Sequence, residues 1–420
     1  MRSIIHIPSF VVNTCHAFLL ICLLLIFTDF IPSFNNAENS LLCSSCFAII
    51  EKYPDSASVR IFSVKKVTEL HIKSGEKFQF TVKNKEQSAS DLDIRQAPGN
   101  RTKLLLKSHS GVFEIDSLVI IKFKAPASLT VNSGTIKNTA GILIVRNTGE
   151  QLLLINKVKF EDYIAGVVSG EIPGGSGEVL AAQAVVSRSF SLANLGRHKN
   201  EGFDFCDSTH CQYFRGYAGN EPAYAAAVKT SREVLFAEGR VVESFYHSNC
   251  GGFTSNEEDV LGQFSPGITS VMDRIPHHSS DLCKNSVHYR WKTTIPESRI
   301  AGILNKEKIT MTTGALKNLR ITGKDRGGRI IKIRIEGTEG YREMSGYDFW
   351  QMLGSHLGWG EVESASFIVI KKNNSYVFEG KGLGHGMGMC QTGAIELGRL
   401  RWNYRKILKH YFPKADIRRL

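Results

Sequence analysis

The sequence has little proline, 11 residues in 420, and it contains no internal repeat and no low-complexity segment. Proline-rich linkers and repeat architectures are therefore excluded, and one or two ordinary globular domains are expected. No Lys/Arg-rich stripe is interleaved with aromatics, and no zinc-finger or helix-turn-helix spacing occurs. The net charge of +12 is accordingly a poor fit to nucleic acid. Anionic lipid, an anionic polymer or a merely soluble basic surface fits it better. Nor does any apolar run clearly reach the ~20 residues of a membrane span. Arg2 precedes the apolar stretch 17–27 (AFLLICLLLIF), whose length suits the h-region of a signal peptide. Carried back to Ile7, the same stretch would make an uncleaved anchor interrupted by Pro8, Asn13, Thr14 and His16. No clean small-x-small cleavage site follows, and no cysteine has a lipobox before it. Residues 1–30 are thus expected to be a signal peptide or an N-terminal membrane anchor. The chain is expected to be exported, to a periplasm or the outer face of the cytoplasmic membrane.

What is present is a composition that is 42% hydrophobic and 22% charged, enough to bury a large core. Many of the 38 glycines fall beside strand-like runs, where they serve tight turns and close backbone approaches. Cys15 and Cys22 belong to the apolar segment, leaving Cys43, Cys46, Cys206, Cys211, Cys250, Cys283 and Cys390. An odd number in an oxidising compartment implies a free thiol or a metal ligand.

Residues 31–57 read as irregular. From position 58 to about 159 the runs VRIFSV, LHIKS, FQFTV, KLLLKS, SLVIIKFKA, GILIVRN and LLLINKVKF alternate as half-buried strands. Helices are expected at 161–168, 178–194 and 222–233, strands again at VLFAEG, VVESFYHS, LRITGKD, RIIKIRIEG and SFIVIKK, and helical pieces at 346–354 and 391–412. The pattern is α+β: a strand-rich N-terminal part, a helical centre, further strands and a C-terminal helix.

Glu171 is the residue on which chemistry centres. It follows Tyr163-Ile164-Ala165-Gly166-Val167-Val168 and precedes Ile172-Pro173, so it lies at a helix end. A carboxyl among apolar neighbours is partly desolvated, which raises its pKa towards what a general acid needs near neutral pH. An ordinary exposed or capping glutamate would look the same without its context.

The context is an ordered set of segments: VKFEDYIAGVVSGEIP, EVLAAQAVVSRSFSLAN, DFCDSTHCQYFRG, SFYHSNCGGFTSNEEDVLG, HYRW, GKGLGHGMGMCQTGAIELG and YRKILKHYFPKADI. This set closely resembles the stage II sporulation protein D (SpoIID/LytB) family of peptidoglycan enzymes, from about Val59 to Leu420. The resemblance implies a SpoIID-like catalytic region over 58–420, with Glu171 at the catalytic position. It implies lytic transglycosylase activity on glycan strands of peptidoglycan stripped of stem peptides. One glutamic acid protonates the oxygen between MurNAc and GlcNAc, and the MurNAc 6-hydroxyl closes a 1,6-anhydro ring. Because the substrate supplies the nucleophile, the second carboxylate of ordinary glycosidases is unnecessary. The other role described in this family is non-catalytic, a wall-binding protein that stimulates a murein amidase.

Further positions carry over singly. Arg188 matches a basic site residue, where a guanidinium would hold substrate oxygens or tune the acid. Tyr246 and Ser255 match polar site positions, with His247 between them, and Gly251-Gly252 would allow close backbone approach to a sugar. His385 and Gln391 match a glycine-rich loop, where a buried, satisfied histidine is the competing expectation. Two positions depart from the family pattern. Gly174-Gly175-Ser176-Gly177 stands where an aromatic usually follows the Glu-hydrophobic-Pro element, and Ala181 replaces a frequent lysine. No cofactor is required by this chemistry. Some clostridial members bind zinc through His-x5-Cys-x5-Cys, whereas His198, Cys206 and Cys211 are separated by seven and four residues, with His210 as another imidazole. Zinc and a Cys206–Cys211 disulfide both remain open, and a Cys250–Cys283 pair is a further expectation. No His/Glu ligand set with an open position, as a zinc amidase requires, is found.

Overall fold

The computed structural model describes residues 53–420 apart from positions 220 and 278. The expected export segment and the Cys43/Cys46 pair lie outside the described residues.

Ten strands follow one another between Ser56 and Lys159: β1 (Ser56–Ile61), β2 (Glu69–Val82), β3 (Lys85–Ala97), β4 (Asn100–Ser108), β5 (Gly111–Ile115), β6 (Leu118–Lys122), β7 (Ala127–Val131), β8 (Thr135–Thr139), β9 (Ile142–Asn147) and β10 (Leu152–Lys159). With β11 (Phe205–Cys206) they make an eleven-stranded sheet, ordered β11-β1-β10-β9-β6-β2-β3-β4-β5, with β7 on β2 and β8 on β7. Alternation of side chains is what puts one face inside: β1 buries Ala57, Val59 and Ile61 and leaves the residues between them half-buried. The expected runs LHIKS and FQFTV fuse into β2, with a register irregularity between Lys73 and Phe78 that bends the strand. The polar β3 shows little alternation of its own. It is brought in by the two-residue turn Lys83-Asn84, whose φ angles of 47° and 63° match a type I′ hairpin. The first strand starts at Ser56, inside the stretch expected to be irregular.

β10 leads directly into α1 (Phe160–Glu171), which is longer than the expected 161–168 and makes Glu171 its last residue. Pro173 stops it there. Helix α2 (Gly177–Ala193) is buried almost throughout, including the polar Gln183, Ser187, Arg188, Ser189 and Ser191. It packs against α1 and α3 (Pro222–Lys229). Gly166 and Gly170, one turn apart on α1, leave the room in which residues 213–216 lie. A Cβ on Gly166 would meet the Gly216 carbonyl and the Phe214 ring, and one on Gly170 would meet the Tyr213 carbonyl. Without those two glycines, the Tyr213 segment would stand away from the end of α1.

The chain then forms β12 (Glu233–Ala237), β13 (Arg240–Val241), β14 (Tyr246–His247) and α4 (Glu257–Leu261). After an insert it returns with β21 (Met389–Cys390), which pairs in parallel with β14. The C-terminal helical stretch, expected to be continuous over 391–412, is two helices, α8 (Gln391–Arg399) and α9 (Tyr404–Tyr411). The break has a local cause. Arg401 is left-handed, at φ 59°, and the Asn403 side chain accepts from the Lys406 amide to cap α9. β22 (Asp416–Arg419) closes a small sheet beside β12.

The insert spans β15 (Trp291–Pro296), α5 (Glu297–Lys306), α6 (Thr310–Thr313), β16 (Leu316–Lys324), β17 (Ile330–Gly337), β18 (Tyr341–Ser345), α7 (Gly346–Leu357), β19 (Phe367–Lys372) and β20 (Ser375–Gly380). Its two three-stranded sheets and their helices close over a separate core that includes Ile295, Leu304, Ile333, Phe349, Leu353 and Phe378. The single region expected over 58–420 therefore contains two hydrophobic cores. No helix among the described residues is long and apolar enough to cross a membrane.

Candidate functional site

Glu171 is half-buried where the end of α1 meets residues 212–213, β14 and the start of α8. Its Oε1 accepts from the Tyr213 amide at 2.6 Å, and the Tyr246 hydroxyl lies beside the same carboxyl and favours its charged form. Burial pushes its pKa above the ordinary glutamate value, against the opposing pull of the Tyr213 amide and Tyr246. Its backbone carbonyl accepts from Gln391 Nε2 at 3.1 Å, and that amide also reaches Gln183 Oε1 at 3.4 Å. The acid is therefore held at both its side chain and its main chain.

Tyr246 is oriented by a residue that the sequence did not single out. Its hydroxyl donates to Gln212 Oε1 at 3.1 Å, while Gln212 Nε2 donates to Ser191 Oγ at 2.8 Å and to the Ser187 carbonyl at 3.4 Å. The carbonyl acceptor fixes which end of the amide faces Tyr246. A glutamine beside a cysteine gives no sequence signal for this role. Its partners come from positions 187, 191 and 246, and only folding assembles them.

The other expected site residues have different placements. Arg188 is 0% exposed. Its guanidinium grips Glu161 in two bonds of 2.6 and 3.2 Å and donates to the carbonyls of Ala227 and Glu233. Burial raises the Glu161 carboxyl, but the Arg188 charge and hydrogen bonds outweigh it and hold the pKa low. Arg188 thus ties α1, α2, α3 and β12 together, and it has no free face for a sugar. His247 is buried too, with Nδ1 bonded to the Met387 carbonyl at 2.9 Å and its pKa lowered by burial. Ser255 donates to Asp325 and accepts from Arg329 Nε at 3.1 Å, so it ties the main body to the insert. His385 donates from Nε2 to the Tyr246 carbonyl at 2.8 Å and accepts the Met387 amide at Nδ1. Burial lowers its pKa to about 4, so it stays neutral and acts on the backbone of Tyr246. Of the expected set, the structure brings Tyr246 and Gln391 to Glu171, and places His385 behind Tyr246.

Cys206, Cys211, His198 and His210 converge, with one donor atom from each within 4.8 Å of all the others. Cys211 Sγ lies 3.4 Å from His198 Nε2, and His210 Nδ1 lies 3.7 Å from both sulfurs. A tetrahedral zinc with ordinary Zn–S and Zn–N bonds places sulfur and nitrogen ~3.5 Å apart, so the four residues fit that ion. His198 Nδ1 bonds the Glu201 carboxylate at 2.5 Å, which leaves Nε2 to face the sulfurs, as an outer-shell carboxylate does for a metal-bound imidazole. The spacing differs from His-x5-Cys-x5-Cys, but the loop compensates and His210 supplies a fourth donor. Cys211 directly precedes Gln212 and Tyr213, both of which bear on Glu171. Two concavities of about 510 and 560 Å³ lie on the insert, around Ile321 and Trp291, and neither includes Glu171.

Comparison with known proteins adds a lineage to this geometry. Residues 148–237 match the family described as Stage II sporulation protein, and residues 270–388 match a domain of unknown function. An uncharacterised protein of Brachyspira hyodysenteriae is 26% identical over 332 residues, covering 77% of this chain and 84% of that protein. The stage II sporulation protein D of Bacillus amyloliquefaciens is 24% identical over 338 residues, covering 72% of this chain and 91% of its own length. The amidase enhancer of Bacillus subtilis is 27% identical over 287 residues; the match covers 60% of this chain and 40% of that longer protein.

Proposed function

From its resemblance to the stage II sporulation protein D family, we propose that this chain is an exported lytic transglycosylase that cleaves peptidoglycan glycan strands, with Glu171 as its single acid–base group. The observation that carries the reading is a carboxyl raised by burial and held from two sides at the junction of four segments. Glu171 in its protonated form gives its proton to the glycosidic oxygen between MurNAc and GlcNAc as the C1–O bond breaks. The carboxylate then takes the proton of the MurNAc 6-hydroxyl as that oxygen bonds to C1. The products are a 1,6-anhydroMurNAc end and a GlcNAc hydroxyl, with no water consumed.

Tyr246 suits both halves of this cycle. While Glu171 is protonated, the hydroxyl donates to Gln212 Oε1 and leaves the acid's one proton for the glycosidic oxygen. When Glu171 is ionised, the same hydroxyl turns to donate to it. The Tyr213 amide keeps the carboxyl from swinging away, and Gln391 anchors the Glu171 main chain. A zinc held by His198, Cys206, His210 and Cys211 would be closed to substrate and would supply structure alone, fixing the loop that carries Gln212 and Tyr213.

Likeness to the amidase enhancer supports a second reading, in which the chain binds wall and stimulates a murein amidase that strips the stem peptides. Digestion of peptide-free glycan strands, followed by mass spectrometry for anhydro ends, separates the two. Anhydro product from the wild type and its loss in Glu171→Gln are expected. Equal, negligible product from both would leave the amidase-stimulating reading in its place.

A further inference from the structure

A second set of potential ligands lies inside the main body, remote in sequence from the first. Cys250, Cys283, Cys390 and Asp273 bring one donor atom each within 4.8 Å of all the others, and all four residues are buried. Cys250 comes from the loop after β14, Asp273 and Cys283 from the stretch before the insert, and Cys390 from the end of β21. Pairing of Cys250 with Cys283, one expectation from the sequence, would leave Cys390 as an odd thiol inside the same cluster.

The geometry is that of a coordination shell. Cys250 Sγ and Cys283 Sγ stand 3.6 Å apart. Thiolates on one tetrahedral zinc are separated by ~3.8 Å, whereas bonded sulfurs lie at ~2.05 Å. Cys390 Sγ accepts two backbone amides, from Cys250 and from Gly393, each at 3.4 Å. The fourth member supplies the independent indication. Asp273 is 0% exposed and makes no ion pair among the described residues. Its carboxyl receives the Tyr411 hydroxyl at 2.6 Å and the Cys283 amide at 3.2 Å, and the Cys250 and Cys283 sulfurs stand beside it. A buried carboxylate needs a cation or a proton, and three sulfurs beside it make a soft divalent cation the fitting partner.

We propose that Cys250, Cys283, Cys390 and Asp273 bind a structural zinc ion, distinct from the one fitted by His198, Cys206, His210 and Cys211. Three thiolates and one carboxylate close the tetrahedron, so the ion takes no substrate. Its effect is positional. Cys250 lies four residues after Tyr246, and Cys390 immediately precedes Gln391. The ion would pin the β14–β21 pair to the 273–283 stretch, and with it Tyr246 and Gln391 of the Glu171 site. The first cluster would pin the Tyr213 side.

The test is zinc content of the purified full chain by elemental mass spectrometry, with a cobalt-substituted sample for the electronic spectrum. The wild type should carry about two ions per chain, and Cys206→Ser/Cys211→Ser about one, with the survivor in the three-thiolate site. Cobalt in that double variant should show a thiolate charge-transfer band stronger per ion than a two-thiolate site gives. Cys283→Ser should also lose one ion. Because that variant could fail to fold, alkylation of the wild type provides a second measurement. Cys250, Cys283 and Cys390 should resist iodoacetamide in the native chain and all three should react after chelation and unfolding without reductant. A double variant without metal, or a Cys250–Cys283 cross-link in the unfolded wild type, would overturn the proposal. Each readout is independent of glycan cleavage, so failure here leaves the assignment of Glu171 untouched.

Discussion

The main body buries many more polar side chains than the insert. The core of the insert is built from Ile295, Ile333, Phe349, Leu353 and their apolar neighbours. The main body also buries apolar residues, but α2 carries Gln183, Ser187, Arg188, Ser189 and Ser191 into its interior. An apolar core tolerates many arrangements of similar volume, whereas a buried polar group demands one partner at one distance. Glu171 lies beside the region where such demands are densest. Gln212 is fixed by Ser187 and Ser191, Tyr246 by Gln212, and the acid by Tyr246. The difference teaches that the body's interior fixes one carboxyl through a chain of polar contacts, while the core of the insert is held mainly by apolar burial.

The contrast can be tested from its strongest side. Glu171→Gln should lower anhydro-end formation by about 10²–10⁴-fold, the usual worth of a general acid–base group. Thermal unfolding should stay close to wild type, so a large drop in Tm would show Glu171 to be structural. The acid must be protonated to act, and its pKa is raised, so the cleavage rate should fall as pH climbs through that raised value. Arg188→Ala should destabilise the body by about 3–5 kcal/mol in urea unfolding, since Glu161 would be left partly buried without its cation. Arg188→Lys should recover only part of that, because one ammonium cannot span Glu161 and two carbonyls.

In the insert, Phe349→Ala should cost about 3 kcal/mol through the cavity it leaves, with the cleavage rate per folded molecule unchanged. A fall in that rate would show that the insert also shapes the Glu171 site. The smallest effect is expected at Glu257 of α4, which is buried and whose Oε2 has no hydrogen-bond partner in the structure. Burial raises its pKa to about 7. The folded state therefore holds the proton more tightly than the unfolded one. The stabilisation is full below about pH 4.5 and is lost as pH rises through about 7. In urea unfolding, Glu257→Gln should match the wild type at pH 4 and exceed it at pH 8 by about 2 kcal/mol, the ~3 kcal/mol of the full shift being reduced by solvent screening.

Much of this molecule was legible before folding. Alternation in VRIFSV and GILIVRN marks β1 and β9, and the helix carrying Glu171 is marked by its apolar run and ended by Pro173. The polar β3 was not, because turn geometry at Lys83-Asn84 recruits it rather than its own pattern. The insert was hidden because its strands resemble those of the body, and burial against a separate core shows in no local period. Arg188 was legible as a residue but not in its role. A guanidinium on a helix looks alike whether it meets a sugar or Glu161.

By itself the sequence determined the class of fold, the position of the acid at a helix end, and the supply of thiols and imidazoles that a metal would need. These follow from local properties: hydrophobic period, the helix-stopping proline, and residue type. Only the tertiary structure decided which groups touch Glu171, and that Arg188, His247 and Ser255 serve the framework instead. It alone divided the five described cysteines into a pair facing two histidines and a buried trio facing Asp273. Those choices rest on contacts between residues as far apart as 171 and 391, and the distance between such residues is set by the packing of every element between them.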